Sequence, residues 1–433
     1  MSKQPIPSRR PQERILVCGV VFPGQAEEHE GALTELRALL LAAGAEPIGS
    51  GIVQRKLAPD PGTLMGRGKV AEVAAEVEAL APDAVALDND LTPGQIRNLE
   101  KALGVRVLDR SEVILDIFAR RARTRQARLQ VELAQAQYLL PRLRRMWTHL
   151  ERTEGAVGTR GPGETQLETD KRLLRKRVLD LKRELEQIED RRLREVRSRS
   201  DHFSVGLVGY TNAGKSTLLN VLTGSSELAA DMLFATLDTR TRQWKLRDGR
   251  TVLLSDTVGF LQRLPHHLVA SFHATLEEAV HADLLIHVVD ASHPDAATQI
   301  AAVEDVLNGI APSDRNELLV FNKVDAVGEP LDLQLLAREL RHEIVHVSAR
   351  RHDGLERLDA AVARRLDARS LRVELDLPLA DGRAIAAVRR LAAVMSEDVV
   401  EGERLRVVAR ISEAALGNLK RTAKGLLVRD LDA

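Results

Sequence analysis

One cysteine, Cys18, occurs among 433 residues. An internal disulfide and a cysteine-built zinc site are therefore excluded. Cys18 lies in the apolar run Ile15-Leu16-Val17-Cys18-Gly19-Val20, the setting of a buried structural thiol. No uninterrupted apolar run reaches about eighteen residues, so no membrane span is expected. The polar, proline-containing stretch from Met1 to Pro11 carries no apolar signal region, and the expected location is the cytoplasm. Net charge is also lacking, with 63 basic and 63 acidic side chains. That balance is an average, because one segment is strongly basic.

What is present centres on Gly209-Tyr210-Thr211-Asn212-Ala213-Gly214-Lys215-Ser216-Thr217. Two glycines stand at the spacing of a phosphate-binding loop and are followed by Lys and Ser. The apolar run Val205–Val208 precedes them, and Leu218–Leu222 continues as a helix. Strand, glycine loop and helix together give the motif its weight. The glycines let backbone N–H groups turn toward phosphate oxygens, and the helix N-terminus adds partial positive charge. Lys215 is expected to reach the outer phosphates and Ser216 to ligate Mg²⁺.

Four further elements follow in the order a GTPase needs. Phe234-Ala235-Thr236-Leu237-Asp238 supplies Thr236, a second hydroxyl for Mg²⁺ when a γ-phosphate closes the loop. Asp256-Thr257-Val258-Gly259 ends a buried strand, so Asp256 can hold the Mg²⁺ shell through water and the Gly259 N–H can approach the γ-phosphate. Asn322-Lys323-Val324-Asp325 ends another strand. The Asp325 carboxylate can accept both N–H groups on the guanine edge, and the Lys323 stem can lie over the purine. Ser348-Ala349-Arg350 ends the last strand, where the Ala349 amide can meet the guanine carbonyl. Lys215, Thr236 and Gly259 are the expected catalytic groups. Phe260 stands where many GTPases carry a water-orienting Gln, so another device must place water. Asn212, beside the β,γ-bridge, is a candidate K⁺ ligand.

Residues 14–112 alternate strand and helix patterns, predicting a parallel sheet covered by helices. Thr92 reads as a helix cap and Pro93 as the first turn. Within this region Thr63-Leu64-Met65-Gly66-Arg67-Gly68-Lys69 reads either as a connecting turn or as a phosphate-binding nest. Residues 113–200 read as a long helical hairpin: a helix over Ser111–Leu150, a glycine-rich tip around residues 154–165, and a heptad seam of Leu174, Val178, Leu181, Leu185 and Ile188. The arm carries roughly ten more basic than acidic side chains, including Arg123, Arg125, Arg128, Arg142, Arg144, Arg145 and Arg160. Such a segment suits a polyanion, or a solvated helix face laced with ion pairs. Residues 201–366 form the expected GTPase domain. Residues 371–433 read as a small α+β domain, with strands over Leu371–Leu377 and Arg404–Ile411 and a helix over Ala384–Met395.

With these motifs the chain resembles the HflX family of ribosome-associated GTPases, in the Obg-HflX-like, translation-factor-related group. The resemblance rests on Gly161-Pro162-Gly163-Glu164-Thr165-Gln166-Leu167-Glu168-Thr169-Asp170, on Thr63–Lys69, on Gln130-Val131-Glu132-Leu133-Ala134-Gln135, and on the Phe234–Asp238 and Asp256–Phe260 stretches. It implies a P-loop GTPase domain preceded by an α/β domain and a helical hairpin and followed by an α+β domain. It also implies Mg²⁺, with K⁺ beside Asn212, and a monomer that binds the large ribosomal subunit. Arg160, Gly161, Pro162 and Gly163 would touch ribosomal RNA, and GTP would control splitting of idle or stalled ribosomes. The sequence departs from the family at Thr239, where a proline is usual, which loosens the first switch. The competing expectation is a GTP-dependent RNA-binding assembly or sensor factor with negligible turnover.

Overall fold

The computed structural model describes residues 12–23, 33–143, 162–198, 203–225, 234, 240–257, 259–261, 282–310, 315–327, 343–368, 370–400, 403–423 and 425–431. The fold is α/β and divides into two compact units. The first holds the described residues up to Leu185 together with Phe234, and the second holds the remainder.

The first unit contains four parallel strands, β1 (Arg14–Val21), β2 (Glu46–Arg55), β3 (Ala84–Leu87) and β4 (Arg106–Leu108), in the order β2-β1-β3-β4. Side chains alternate across a strand. Leu16, Cys18 and Val20 therefore share one face, packed against α2 (Arg67–Leu80) and α3 (Pro93–Leu103). Helices α1 (Thr34–Ala42) and α4 (Arg110–Arg121) pack together, burying Leu36, Leu39, Ile114 and Phe118. Thr92 caps α3 in a reciprocal pair with Gln95, as the sequence predicts. The Thr63–Lys69 segment runs from a turn into the first residues of α2. Asp60 Oδ1 accepts from the Gly62 and Thr63 amides, Leu64 and Met65 are buried, and the Gly66 N–H donates to Gln54 Oε1 at 2.9 Å.

The expected single helix over Ser111–Leu150 is broken. After α4 the chain turns at Ala122–Thr124 and restarts as α5 (Arg125–Leu139). The Thr124 hydroxyl accepts from the Ala127 amide at 3.1 Å, an N-cap that the apolar pattern alone conceals. The returning helix α6 spans Pro162–Ser198. Pro162 and Gly163 are thus its first residues rather than part of the tip loop, consistent with proline's preference for the first helical turn. On the seam Leu181 is fully buried, whereas Leu173 and Leu179, which lie off the seam, are exposed. Arg177 reaches Glu132 at 2.7 Å and Arg125 reaches Glu184 at 3.3 Å, tying α6 to α5. Arg142 is not a free arm cation. Its guanidinium stacks 3.6 Å above Tyr138 and donates to Asp109 Oδ2 at 3.0 Å. Arg144, Arg145, Arg160 and Gly161 lie outside the described residues.

The second unit carries a six-stranded sheet ordered β10-β9-β8-β5-β7-β6. Its strands are β5 (Ser204–Gly209), β6 (Arg240–Lys245), β7 (Thr251–Asp256), β8 (Leu284–Asp290), β9 (Glu317–Asn322) and β10 (Ile344–His346). All pairs are parallel except β6–β7. Helices α7 (Lys215–Thr223), α8 (Ala296–Ile310) and α9 (Leu355–Ala368) accompany it. β5 is central, with both neighbours parallel, and its residues are apolar because both faces are covered. His287, within β8, is a core residue whose Nδ1 lies 3.1 Å from Glu317 Oε1.

The C-terminal sheet is antiparallel, ordered β12-β13-β11-β14, from β11 (Ser370–Pro378), β12 (Ala392–Val400), β13 (Arg404–Ser412) and β14 (Leu427–Asp430). Helices α10 (Gly382–Leu391) and α11 (Glu413–Thr422) contribute Val388, Ala415 and Leu419 to its core. The helix expected over Ala384–Met395 ends at Leu391, and Ala392–Met395 opens β12 instead. Strand pairing with β13 overrides the helical pattern there.

Candidate functional site

The candidate site lies where β5, β7, β8 and β9 end, the crevice expected to hold a ligand in an open parallel sheet. The chain leaves β5 at Gly209, whose φ is 146°. A Cβ at Gly209 would stand 2.2 Å from the Val288 carbonyl oxygen, so only glycine lets the loop pass β8. Gly214 caps α7 at φ 93°, and a Cβ there would meet Asn322 Nδ2 at 2.2 Å.

Lys215 is buried and donates to the carbonyl oxygens of Gly209 at 2.9 Å and Tyr210 at 2.7 Å. Burial pushes its ammonium down to about 8, partly offset by the nearby Asp256 carboxylate. The Ser216 hydroxyl donates to Asp256 Oδ2 at 2.7 Å. Thr257 donates to the Leu207 carbonyl and locks the end of β7 onto β5. The following turn lies directly on the phosphate loop: Thr211 N–H donates to Phe260 O at 2.7 Å and Phe260 N–H to Gly209 O at 3.1 Å. A Cβ at Gly259 would fall 2.8 Å from Thr211 Cγ2 and 3.2 Å from Lys215 Nζ. Phe260 is buried, so its ring is core rather than a water-orienting group.

At the other end Asn322 is buried between two loops. Its Nδ2 donates to Ala213 O at 2.9 Å, and its Oδ1 accepts from Ala349 N at 3.0 Å. The Ala349 amide, expected at a guanine carbonyl, is engaged by Asn322 here, and Asn322 acts as a brace between loops. Asp325 Oδ1 accepts from the Ser348 hydroxyl at 2.6 Å, which with the nearby Arg351 and Arg350 holds its carboxyl below the ordinary value. Ser348 is placed by a two-way backbone bridge to Asp353 and by Gly354, where a Cβ would stand 2.1 Å from His346 O. Lys323 takes a left-handed φ of 62° and donates to Asp290 Oδ2 at 2.7 Å. Asp290 is a site residue the sequence reading did not assign. Its signal was present, an aspartate at the carboxyl end of an apolar parallel strand.

The structure thus gathers Gly209 to Ser216, Asp256 and Gly259 at one end, and Asn322, Lys323, Asp325, Ser348 and Ala349 at the other. Arg350 is exposed, as is Asn212, whose φ is 62°. Phe234, expected in the nucleotide loop, is buried in the first unit, edge-on to Phe118 with ring centroids 4.6 Å apart. Ala235, Thr236, Leu237, Asp238 and Val258 lie outside the described residues. The Mg²⁺ donors present fit their role, since a hydroxyl and a buried carboxylate sharing one hydrogen bond form a hard oxygen pair suited to that ion.

Comparison with known proteins shows the family. Residues 30–119 match the family described as GTP-binding GTPase N-terminal, residues 121–199 its Middle Region, and residues 204–323 the 50S ribosome-binding GTPase family. The chain is 45% identical over 393 residues to GTPase HflX of Magnetococcus marinus, covering 90% of each. It is 44% identical over 367 residues to GTPase HflX of Escherichia coli, covering 84% of this chain and 86% of that one. Among solved structures, a GTP-binding protein from Sulfolobus solfataricus in complex with GDP aligns at 23% identity over 81% of this chain and 98% of that one, with a TM-score of 0.42. Relatives of this identity, spanning both the regions before the phosphate loop and the loop itself, place the chain in the HflX family of GTPases.

Proposed function

We propose that this GTPase binds the large ribosomal subunit and separates stalled or idle ribosomes, with GTP controlling its association and release. The observation that carries the reading is the continuity of family likeness through the arm: residues 121–199 match the middle region that accompanies a 50S ribosome-binding GTPase domain. The basic excess of that arm supports an RNA partner. The basic side chains to weigh are those not already engaged, since Arg142 and Arg177 are paired within the first unit. Arg160, Gly161, Pro162 and Gly163 are the proposed RNA contacts.

In the nucleotide site Lys215 and the loop amides hold the β- and γ-phosphates. Ser216, Thr236 and, through water, Asp256 would hold Mg²⁺. The ion supplies charge neutralisation to the phosphates when bound. Gly259 presents its amide to the γ-phosphate. Asp325 reads the guanine edge, while Asp290 fixes Lys323 so that its stem can cover the purine. Asn212 is the proposed K⁺ ligand. The protein acts as a monomer in the cytoplasm.

Sedimentation with ribosomes at several salt concentrations tests this. The GTP-analogue form should cosediment with large subunits, and more strongly than the GDP form. Equal cosedimentation with either nucleotide, without stimulated hydrolysis, favours instead an RNA-binding sensor that barely turns over.

A further inference from the structure

Two carboxylates of the candidate site are each held by a serine. Asp325 accepts from the Ser348 hydroxyl at 2.6 Å. Asp290, which ends β8, takes two donors at its Oδ1, the Ser292 amide at 3.0 Å and the Ser292 hydroxyl at 2.6 Å. Its Oδ2 accepts from the Lys323 ammonium at 2.7 Å. Ser348 belongs to a motif already assigned. Ser292 has no role in the function proposed above.

Strand register brings the three residues together. Asp290 pairs with Asn322 across the parallel β8–β9 ladder, and the Ala291 amide donates to the Asn322 carbonyl at 2.9 Å. Lys323 is the next residue of that chain. It turns in a left-handed conformation, φ 62°, that a side chain seldom adopts. A free lysine samples many rotamers, and ordering it as a ligand binds costs affinity. Here the ammonium is tethered, so the stem is ordered in advance. The tether is partly shielded from water, with the Asp290 side chain 13% exposed and that of Lys323 30% exposed. A fixed charge pair counts for more there than on an open surface. Its geometry depends on the plane of the Asp290 carboxylate, which the two Ser292 donors set.

We infer that Ser292 is a positioning residue for the purine. Its hydroxyl aligns Asp290, Asp290 anchors the Lys323 ammonium, and the anchored stem forms the surface on which the base lies. The inference deepens, and rests on, the reading that the Lys323 stem covers the purine. Ser292 acts through two other residues, so its effect falls on how long the nucleotide stays. A surface ordered before binding chiefly slows release.

Release of a fluorescent GDP from the full chain with Mg²⁺, followed by stopped flow, tests this. Ser292 is exposed, so its replacement leaves the core intact. S292A should release GDP about twofold to tenfold faster, the span for freeing one ordered side chain. S292T keeps the hydroxyl and should release at close to the unaltered rate. In a K323A background there is no ammonium to place, and adding S292A should change release by less than about 1.5-fold. Release from S292A at the unaltered rate overturns the inference. So does S292T releasing as fast as S292A, because the hydroxyl is then not the cause. An equal acceleration by S292A with and without Lys323 also overturns it, since Ser292 would then serve only its own turn. K323A alone separates the underlying reading: if it releases GDP at the unaltered rate, the stem does not cover the base.

Discussion

Lys215 shows how a single residue ties the fold to its chemistry. The amine sits in a buried loop, and desolvation brings its pKa to about 8 against an ordinary 10.5. Phosphate beside it favours the charged form and raises the value again. Between about pH 8 and 10 the nucleotide must therefore bind together with a proton. Calorimetry at pH 8.5 in two buffers of different ionisation heat should report proton uptake on GDP binding, and affinity should decline as pH rises past about 8. Proton release, or none, contradicts this. Asp325 makes the companion prediction. On the proposed role of Asp325 at the guanine edge, D325N replaces an accepting oxygen with a group that donates, costing about 1.5–3 kcal/mol. GTP affinity should fall about tenfold to a hundredfold in a nucleotide titration, with the thermal midpoint little changed. Residue identities in the phosphate loop were legible in the sequence because glycine spacing encodes a backbone path. The engagement of Ala349 by Asn322 and of Lys323 by Asp290 was not, because those partners lie 27 and 33 positions apart and meet only through strand register.

Among elements, β8 and β9 end at Asp290 and Asn322, and a buried polar cluster joins them. Glu317 accepts from Arg315 at 2.8 Å and lies 3.1 Å from His287 Nδ1. Burial alone would raise its carboxyl, but His287 and Arg315 outweigh that and bring it down to about 2. The folded value lies below the ordinary 4.5. The stabilisation is thus complete above about pH 4.5 and is lost as the pH falls toward 2. Urea unfolding from pH 6 down to pH 3 should show this loss, and E317Q should flatten it. An unchanged slope in E317Q would assign the acid sensitivity elsewhere. The α/β alternation of the first region and the strand order of the GTPase region follow from apolar patterning. The break at Thr124 and strand β12 do not. A threonine cap inside an amphipathic run looks like one more polar helix position, and an edge strand with exposed Met395 and Val399 lacks strict alternation.

For the whole molecule, the question is how the arm and the nucleotide site cooperate. Helix α6 begins at Pro162, so Gly161-Pro162-Gly163 joins the tip to a rigid element about 55 Å long at 1.5 Å per residue. If the arm acts in ribosome separation as proposed, replacing both glycines with alanine should impair that separation in sucrose gradients several-fold while GDP affinity stays within about twofold, since the proposed nucleotide contacts lie in the other unit. Normal separation by that variant removes the tip from the mechanism.

Cys18 offers a practical opening. It lies in the middle of β1 with its thiol fully buried, and burial pushes that thiol up to about 12. At neutral pH almost none of it is thiolate, the form that reacts with alkylating dyes. The native chain is thus a cysteine-silent background. One engineered surface cysteine on the arm would take a fluorophore at a single address, without any need to delete the natural thiol and disturb the sheet around it.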